Sequence, residues 1–226
     1  MITHAIFDVD GTILDTTQMW NSLPERFLAA CGITVDGASL SEHMRSMSLP
    51  EAGEFLRTEY ALPYSVDEIL RQVNDMTRRF FAEEVELRAG IPSLLFELHK
   101  RGIRMSVATA GDRELILSAF SRLGIDGFFE GIATCSEYGS KHSPAVFLAA
   151  AEIAGGKPSQ TLVFEDSLFA VRTAKAAGFF TAAVRDIGEN KQDDLREAAD
   201  FYALSPEEYC GRVPELLGSD TRDCRA

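Results

Sequence analysis

The sequence predicts an α/β protein: a parallel, doubly wound sheet with a small helical domain inserted after its first strand. From about residue 90 to residue 184, short apolar runs alternate with helical patterns. This alternation is typical of right-handed βαβ units in a parallel sheet. Between residues 18 and 86, apolar residues recur at helical spacing without a convincing strand alternation, which predicts helices that supply no strand to the sheet.

The elements follow from local signals along the chain. The first strand covers residues 3–7 and stops at Asp8 in a tight turn that contains Gly11. Later strands are predicted at 103–109, 128–134, 161–164 and 179–184, and the helices between them at 92–101, 113–123, 144–154 and 168–177. Residues 214–226 lack apolar periodicity and predict a frayed end. We therefore predict a core of residues 1–17 and 87–226 and a helical cap of residues 18–86.

Composition narrows the class of protein. The chain has 226 residues and a formal net charge of −13, which argues against nucleic acid or an anionic membrane as a partner. The chain has four cysteines, Cys31, Cys135, Cys210 and Cys224. They form no C-x-x-C pair, so neither a zinc site nor a disulfide scaffold is expected. A signal-peptide core and a membrane-spanning run of about 20 apolar residues are also missing. The expectation is a cytoplasmic protein, with the oligomeric state open and a monomer plausible.

Reactive side chains collect at one edge of the predicted sheet, where ligands bind in open α/β folds. The strand ends and the loop before residue 144 contribute six of them: Asp8, Asp10, Thr109, Lys141, Glu165 and Asp166. Four carboxylates repel one another at short range unless a cation offsets them. A hard divalent cation with oxygen ligands does so and leaves room for a phosphate, which a lysine ammonium also suits.

The pattern of these residues resembles the motifs of the haloacid dehalogenase superfamily. Residues 8–12 read D-V-D-G-T, as in the first motif of its aspartyl phosphatases, and residues 107–109 read V-A-T, as in the second. Residues 141–144, K-H-S-P, are similar to the third motif, and residues 164–167, F-E-D-S, to the acidic fourth. The resemblance implies a Rossmann-like core with an inserted helical cap, in the branch that contains β-phosphoglucomutase and phosphatases of small phosphorylated metabolites.

The resemblance also implies a mechanism. Asp8 attacks phosphorus to form an aspartyl-phosphate, and Asp10 protonates the leaving oxygen and later takes a proton from water. Thr109 and Lys141 stabilise the phosphoryl oxygens. The implied ligands of a magnesium ion are Asp8, the main-chain carbonyl of Asp10, Asp166 and, close by, Glu165.

Several positions depart from the family pattern or stay open. His142 stands where the family usually has proline, and Ala145 where many members have aspartate. Because Asp10 already supplies acid–base chemistry, we interpret His142 as structural. Trp20 and Arg45 belong either to the core of the cap or to its substrate-facing surface.

Competing functions share parts of this pattern. A phosphomutase acting on a sugar phosphate uses the same core residues, so the core cannot separate it from a phosphatase. A dehalogenase is disfavoured, since that chemistry needs no acid at Asp10. The inserted helices argue against a non-enzymatic phospho-acceptor. A binding protein without catalytic activity is disfavoured because every core position of the motifs carries a residue suited to catalysis. The predicted function is a magnesium-dependent phosphatase of a small metabolite.

Overall fold

The computed structural model describes residues 1–44, 47–185 and 192–218. The chain divides into two compact units. One unit, the core unit, comprises Met1–Asp15 and Glu86–Ala226, and the other, the helical unit, comprises Thr16–Val85. The division into two independent domains, with boundaries at 17/18 and 86/87, stays a prediction.

The helical unit consists of helices around its own apolar core, as the spacing of its apolar residues predicts. Its elements are α1 Thr17–Ala30, α2 Gly37–Met44, α3 Leu49–Glu59, α4 Val66–Arg79 and a π-helix Phe80–Glu84. Capping boxes begin α3 and α4: Glu51 and Glu68 accept the main-chain N–H of Ser48 and Ser65, each at 2.8 Å. The buried core consists of Phe27, Leu28, Leu40, Leu56, Leu62 and Ile69.

Thr16 begins the helical unit, which also contains Trp20 and Arg45, the two residues whose place in the cap the sequence left open. Thr16 occupies the N-cap position of α1, but its hydroxyl makes no capping bond and has no hydrogen-bond partner among the described residues. Trp20 is 45% exposed although Leu23 and Phe27 on the same helix are buried, so it does not belong to the core of this unit. Arg45 lies outside the described residues.

The core unit contains one parallel sheet of six strands in the order β3-β2-β1-β4-β5-β6. The strands are β1 His4–Phe7, β2 Arg104–Thr109, β3 Phe129–Thr134, β4 Thr161–Glu165, β5 Phe180–Val184 and β6 Phe201–Ala203. The predicted fold class is confirmed, and the short sixth strand is an addition to the predicted sheet.

The other α-helices of the described residues belong to the core unit: α5 Ile91–Lys100, α6 Arg113–Leu123, α7 Cys135–Tyr138, α8 Ala145–Ala154, α9 Leu168–Ala176, α10 Gln192–Ala198, α11 Pro206–Cys210 and α12 Val213–Leu216. The prediction of a frayed end from residue 214 is wrong as far as Leu217. Leu216 and Leu217 are buried, and the main-chain N–H of Ile2 donates to the Leu217 carbonyl at 3.3 Å. Residues 219–226, with Cys224, lie outside the described part.

The centre of the sheet holds the strand that leads to Asp8. β1 lies between β2 and β4, and Phe7 pairs in register with Val107 and Phe164. The rings of Phe7 and Phe164 stack with centroids 4.4 Å apart. Burying an aromatic side chain contributes roughly 1.5–3 kcal/mol, so this packing fixes the strand end from which the site is built.

None of the helices in the described ranges is long and apolar enough to cross a bilayer.

Candidate active site

A tight turn follows β1 and fixes the position of Asp8. The Asp8 main-chain N–H donates to the Phe164 carbonyl of β4 at 2.9 Å. Beyond it, the N–H groups of Ile13 and Leu14 both donate to the Val9 carbonyl, at 3.0 and 2.9 Å. Gly11 has a φ of +79°, a conformation that glycine adopts without steric cost. The Asp8 side chain is thereby held in the interior, with the residue only 5% exposed.

Lys141 bridges two carboxylates at the ends of β1 and β4. Its ammonium donates to Oδ1 of Asp8 and, at 2.7 Å, to Oε2 of Glu165. Burial alone would lower the pKa of Lys141, but these two carboxylates outweigh it and raise the pKa above its ordinary value. Lys141 therefore stays charged at neutral pH, as a binding group for a phosphoryl oxygen requires.

Three buried carboxylates converge on this point. Asp8, Glu165 and Asp166 each offer one oxygen atom, and these atoms all lie within 4.8 Å of one another. Burial and the neighbouring Asp8 raise the pKa of Glu165 above its ordinary value, against the opposing effect of Lys141. Because each buried ion pays a desolvation cost of several kcal/mol, three carboxylates with a single ammonium leave negative charge that a cation would offset.

The donor set fits a hard divalent cation. All the converging atoms are carboxylate oxygens, the ligand type that Mg²⁺ and Ca²⁺ prefer. Oδ2 of Asp8 is buried and has no hydrogen-bond partner in the described part of the chain, so it is available as a ligand. Asp8, Lys141, Glu165 and Asp166, predicted as site residues, are thus brought together, although their roles stay predictions.

The other two predicted site residues, Asp10 and Thr109, flank Gly111. The buried Thr109 hydroxyl accepts the Gly111 main-chain N–H at 2.9 Å. A Cβ placed on Gly111 would lie 3.3 Å from both Oδ2 of Asp10 and Oγ1 of Thr109. The Asp10 side chain is not part of the carboxylate cluster, and a metal contact through its main-chain carbonyl stays a prediction.

The comparison with known families decides the assignment. A sequence model described as haloacid dehalogenase-like hydrolase matches residues 5–184, most of the chain. The chain belongs to this family. The predicted family membership is confirmed, and with it an enzyme of the hydrolase class.

Relatives of this haloacid dehalogenase-like hydrolase match over nearly their full length. A probable pseudouridine-5'-phosphatase of Drosophila melanogaster is 29% identical, over 92% of this chain and 94% of its own. A phosphorylated carbohydrates phosphatase of Thermotoga maritima is 26% identical, over 94% and 98%. The solved structure of CbbY from Rhodobacter sphaeroides with phosphate is 27% identical, covers 92% of this chain and 96% of its own, and superimposes with a TM-score of 0.70.

Sequence reasoning about this hydrolase missed two residues beside the site. One is Gly111, whose only signal is its place between the strand-ending Thr109 and Asp112, the N-cap of α6. The other is Arg88, whose guanidinium donates to the Gly11 carbonyl and, at 3.2 Å, to the Arg185 carbonyl. Arg88 is 77 positions away from Gly11, and no local pattern marks such a contact.

His142 lies outside the carboxylate cluster of the hydrolase. Its ring stacks on Phe169 of α9 with centroids 4.4 Å apart and an interplanar angle of 23°, and both residues are exposed. Packing of this kind links the Lys141 loop to the helix that follows Asp166. The contact favours the structural interpretation of His142, and Ala145 simply begins α8.

Proposed function

We propose that this chain is a magnesium-dependent phosphatase that hydrolyses a small phosphorylated metabolite through an aspartyl-phosphate on Asp8. The observation that carries the proposal is the buried Asp8 carboxylate, which contacts Lys141 through one oxygen and has no partner for the other among the described residues. Glu165 and Asp166 stand beside it. The phosphatase names of the relatives support the same chemistry.

The reaction proceeds in two displacements, which replace one difficult step by two easier ones. In the first, an Asp8 oxygen bonds to phosphorus while the bond from phosphorus to the ester oxygen breaks, and Asp10 gives its proton to that leaving oxygen. In the second, a water oxygen bonds to phosphorus, the Asp8–phosphorus bond breaks, and Asp10 takes the proton that the water loses. Asp8 and Asp10 return to their starting states and phosphate is released.

Electrostatics in the site lowers the cost of moving charge. Lys141 and the Thr109 hydroxyl donate to the phosphoryl oxygens as negative charge shifts onto them. Asp8, the main-chain carbonyl of Asp10, Asp166 and Glu165 would hold the magnesium ion, which would supply positive charge that offsets the charge of the phosphoryl group. Because the carboxylates are buried, these interactions act in a medium of lower effective dielectric than water and are stronger there.

Replacing the nucleophile tests the proposal. Asp8→Asn keeps the shape of the side chain but removes the attacking carboxylate, and we expect phosphate release to fall by roughly 10³-fold or more. The measurement is phosphate released from phosphorylated sugars, nucleotides and flavin mononucleotide with magnesium present. Asp15→Asn is the matched control, because Asp15 is exposed and has no role in the mechanism.

Metal removal provides the second arm of the same test. Excess EDTA should abolish phosphate release, and added magnesium should restore it. Full activity in EDTA would contradict the metal assignment, and near wild-type rates for Asp8→Asn would contradict the choice of nucleophile.

A further inference from the structure

A side chain added at Gly111 would crowd two residues of the proposed site, Asp10 and Thr109. It follows the end of β2 and precedes α6, with its N–H bonded to Thr109. A Cβ at this position would be 3.0 Å from Cδ1 of Ile116 and 3.3 Å from the Asp10 and Thr109 oxygens. Contacts this short force the neighbouring atoms to move by a few tenths of an ångström.

The N–H of Gly111 also determines what the Thr109 hydroxyl can do. A hydroxyl has one proton to donate and two lone pairs that accept. Because the Gly111 N–H occupies a lone pair of the Thr109 oxygen, the hydroxyl proton remains for a second partner. A phosphoryl oxygen is the acceptor that the proposed mechanism provides.

The missing side chain has a separate consequence for Asp10. An Asp10 carboxylate oxygen would lie as close to the added Cβ as the Thr109 hydroxyl oxygen, at 3.3 Å each, so the same added atom crowds both groups. Proton transfer requires hydrogen-bond distance between donor and acceptor, and misplacements of about 1 Å can cost about 10²-fold in rate. A displaced Asp10 would therefore lose efficiency as an acid even though its chemistry were intact.

We propose that Gly111 is a positioning residue for acid catalysis: its lack of a side chain admits the Asp10 carboxylate beside the Thr109 hydroxyl. The proposal rests on the proposed function, in which Asp10 protonates the leaving oxygen. It extends the site to a residue that touches no substrate and acts through its neighbours.

The test compares two esters that differ in their need for an acid. The alcohol leaving from glycerol phosphate requires protonation, whereas para-nitrophenolate leaves readily without it. The measured quantity is kcat/KM, which covers binding and transfer to Asp8 but not the later hydrolysis. For Gly111→Ala we expect kcat/KM to fall about tenfold or more further for glycerol phosphate than for para-nitrophenyl phosphate.

A second variant separates the two kinds of contact at Gly111. Ile116→Val removes Cδ1, the atom nearest to the added Cβ, and so gives the Gly111→Ala chain room to fold. If the activity loss comes from Asp10 and Thr109, Gly111→Ala with Ile116→Val still shows the dependence on leaving group. Recovery of wild-type behaviour in the double variant, measured against Ile116→Val alone, would overturn the proposal.

Two further variants complete the design. Gly127→Ala is the matched control, because a Cβ there meets nothing within 4 Å. It should leave kcat/KM unchanged for both esters. Asp10→Asn distinguishes the two failures. If Asp10→Asn lowers kcat/KM equally for the two esters, Asp10 is not the acid of the proposed function, and the proposal for Gly111 is wrong as well. If Asp10→Asn shows the leaving-group dependence and Gly111→Ala does not, only the role of Gly111 is wrong.

Discussion

At the scale of single residues, Arg88 holds the turn that follows the proposed nucleophile. It donates hydrogen bonds to the Gly11 carbonyl and to the Arg185 carbonyl at the end of β5. Leaving a buried acceptor without its donor costs about 1–3 kcal/mol. We expect Arg88→Met to lower the free energy of unfolding by about that amount and to reduce kcat, because the turn between Asp8 and Asp10 loosens. Urea denaturation and steady-state kinetics measure the two effects.

A surface arginine provides the control for Arg88. Arg113 pairs with Glu137 at the exposed surface, and pairs of this kind contribute about 0–1 kcal/mol. Arg113→Met should therefore change stability little and leave kcat unaltered. Equal effects of the two variants would mean that Arg88 contributes only generic surface charge.

The same scale shows what the sequence could predict about the site. Asp8, Glu165 and Asp166 were predictable because each lies at the end of a strand or directly after it, and the carboxyl ends of parallel strands meet at one edge of the sheet. Arg88 was not, because its contact depends on the folded path of the chain and not on a local pattern. Gly111 was missed for another reason: its contribution is the absence of a Cβ, and only coordinates show which atoms would meet one.

At the scale of elements, Asp200 attaches the edge strand β6 to β5. Its Oδ2 accepts the N–H and the hydroxyl of Thr181, at 2.9 and 3.0 Å, and its Oδ1 accepts from Lys175 at 2.9 Å. Burial alone would raise the pKa of Asp200, but these donors outweigh it and lower the pKa. We expect Asp200→Asn to cost about 1.5–3 kcal/mol at pH 7, as for hydrogen bonds to a charged group.

Because the pKa of Asp200 is lowered in the folded state, its contribution to stability depends on pH. The stabilisation is present above the ordinary carboxyl pKa of about 4 and is lost as the pH falls through the lower folded-state value. Urea denaturation at neutral and acidic pH should therefore show the wild type converging on Asp200→Asn below about pH 4. Glu215→Gln, at an exposed pair with Arg212, should change stability by less than about 1 kcal/mol. A stability difference between the wild type and Asp200→Asn that persists at low pH would contradict the ionic origin of the stabilisation.

These contacts also explain which elements the sequence did not predict. β1 to β5 are apolar runs of four to six residues bounded by clear stop signals. β6 has three residues, too few for an alternation, and its position depends on Asp200 reaching Thr181. α12 has four residues and no helical period, so its apolar residues near the end of the chain did not suggest a packed helix.

At the scale of the whole molecule, the helical unit differs in character from the core unit. It contains a cavity of about 290 Å³ with a mostly apolar lining, including Trp20, Leu23, Leu56 and Ile69. Asn21 and Ser41 are the polar side chains in that lining, and no charged residue lines it in the described part of the chain. A cavity of this kind offers few partners for the hydroxyl groups of a sugar, which need hydrogen bonds when they are buried.

Hydrolysis competes with phosphoryl transfer to a second hydroxyl of the substrate. A mutase must hold a sugar phosphate so that a sugar hydroxyl, and not water, reaches the aspartyl-phosphate. We expect water to be the acceptor, as in the proposed phosphatase reaction. Incubating the enzyme with glucose 1-phosphate and magnesium, and measuring glucose 6-phosphate and free phosphate together, gives the partition. We expect free phosphate to exceed the isomerised sugar phosphate. The reverse ratio would make the protein a mutase and leave Asp8 and Asp10 in the same roles, because both reactions pass through the same first displacement.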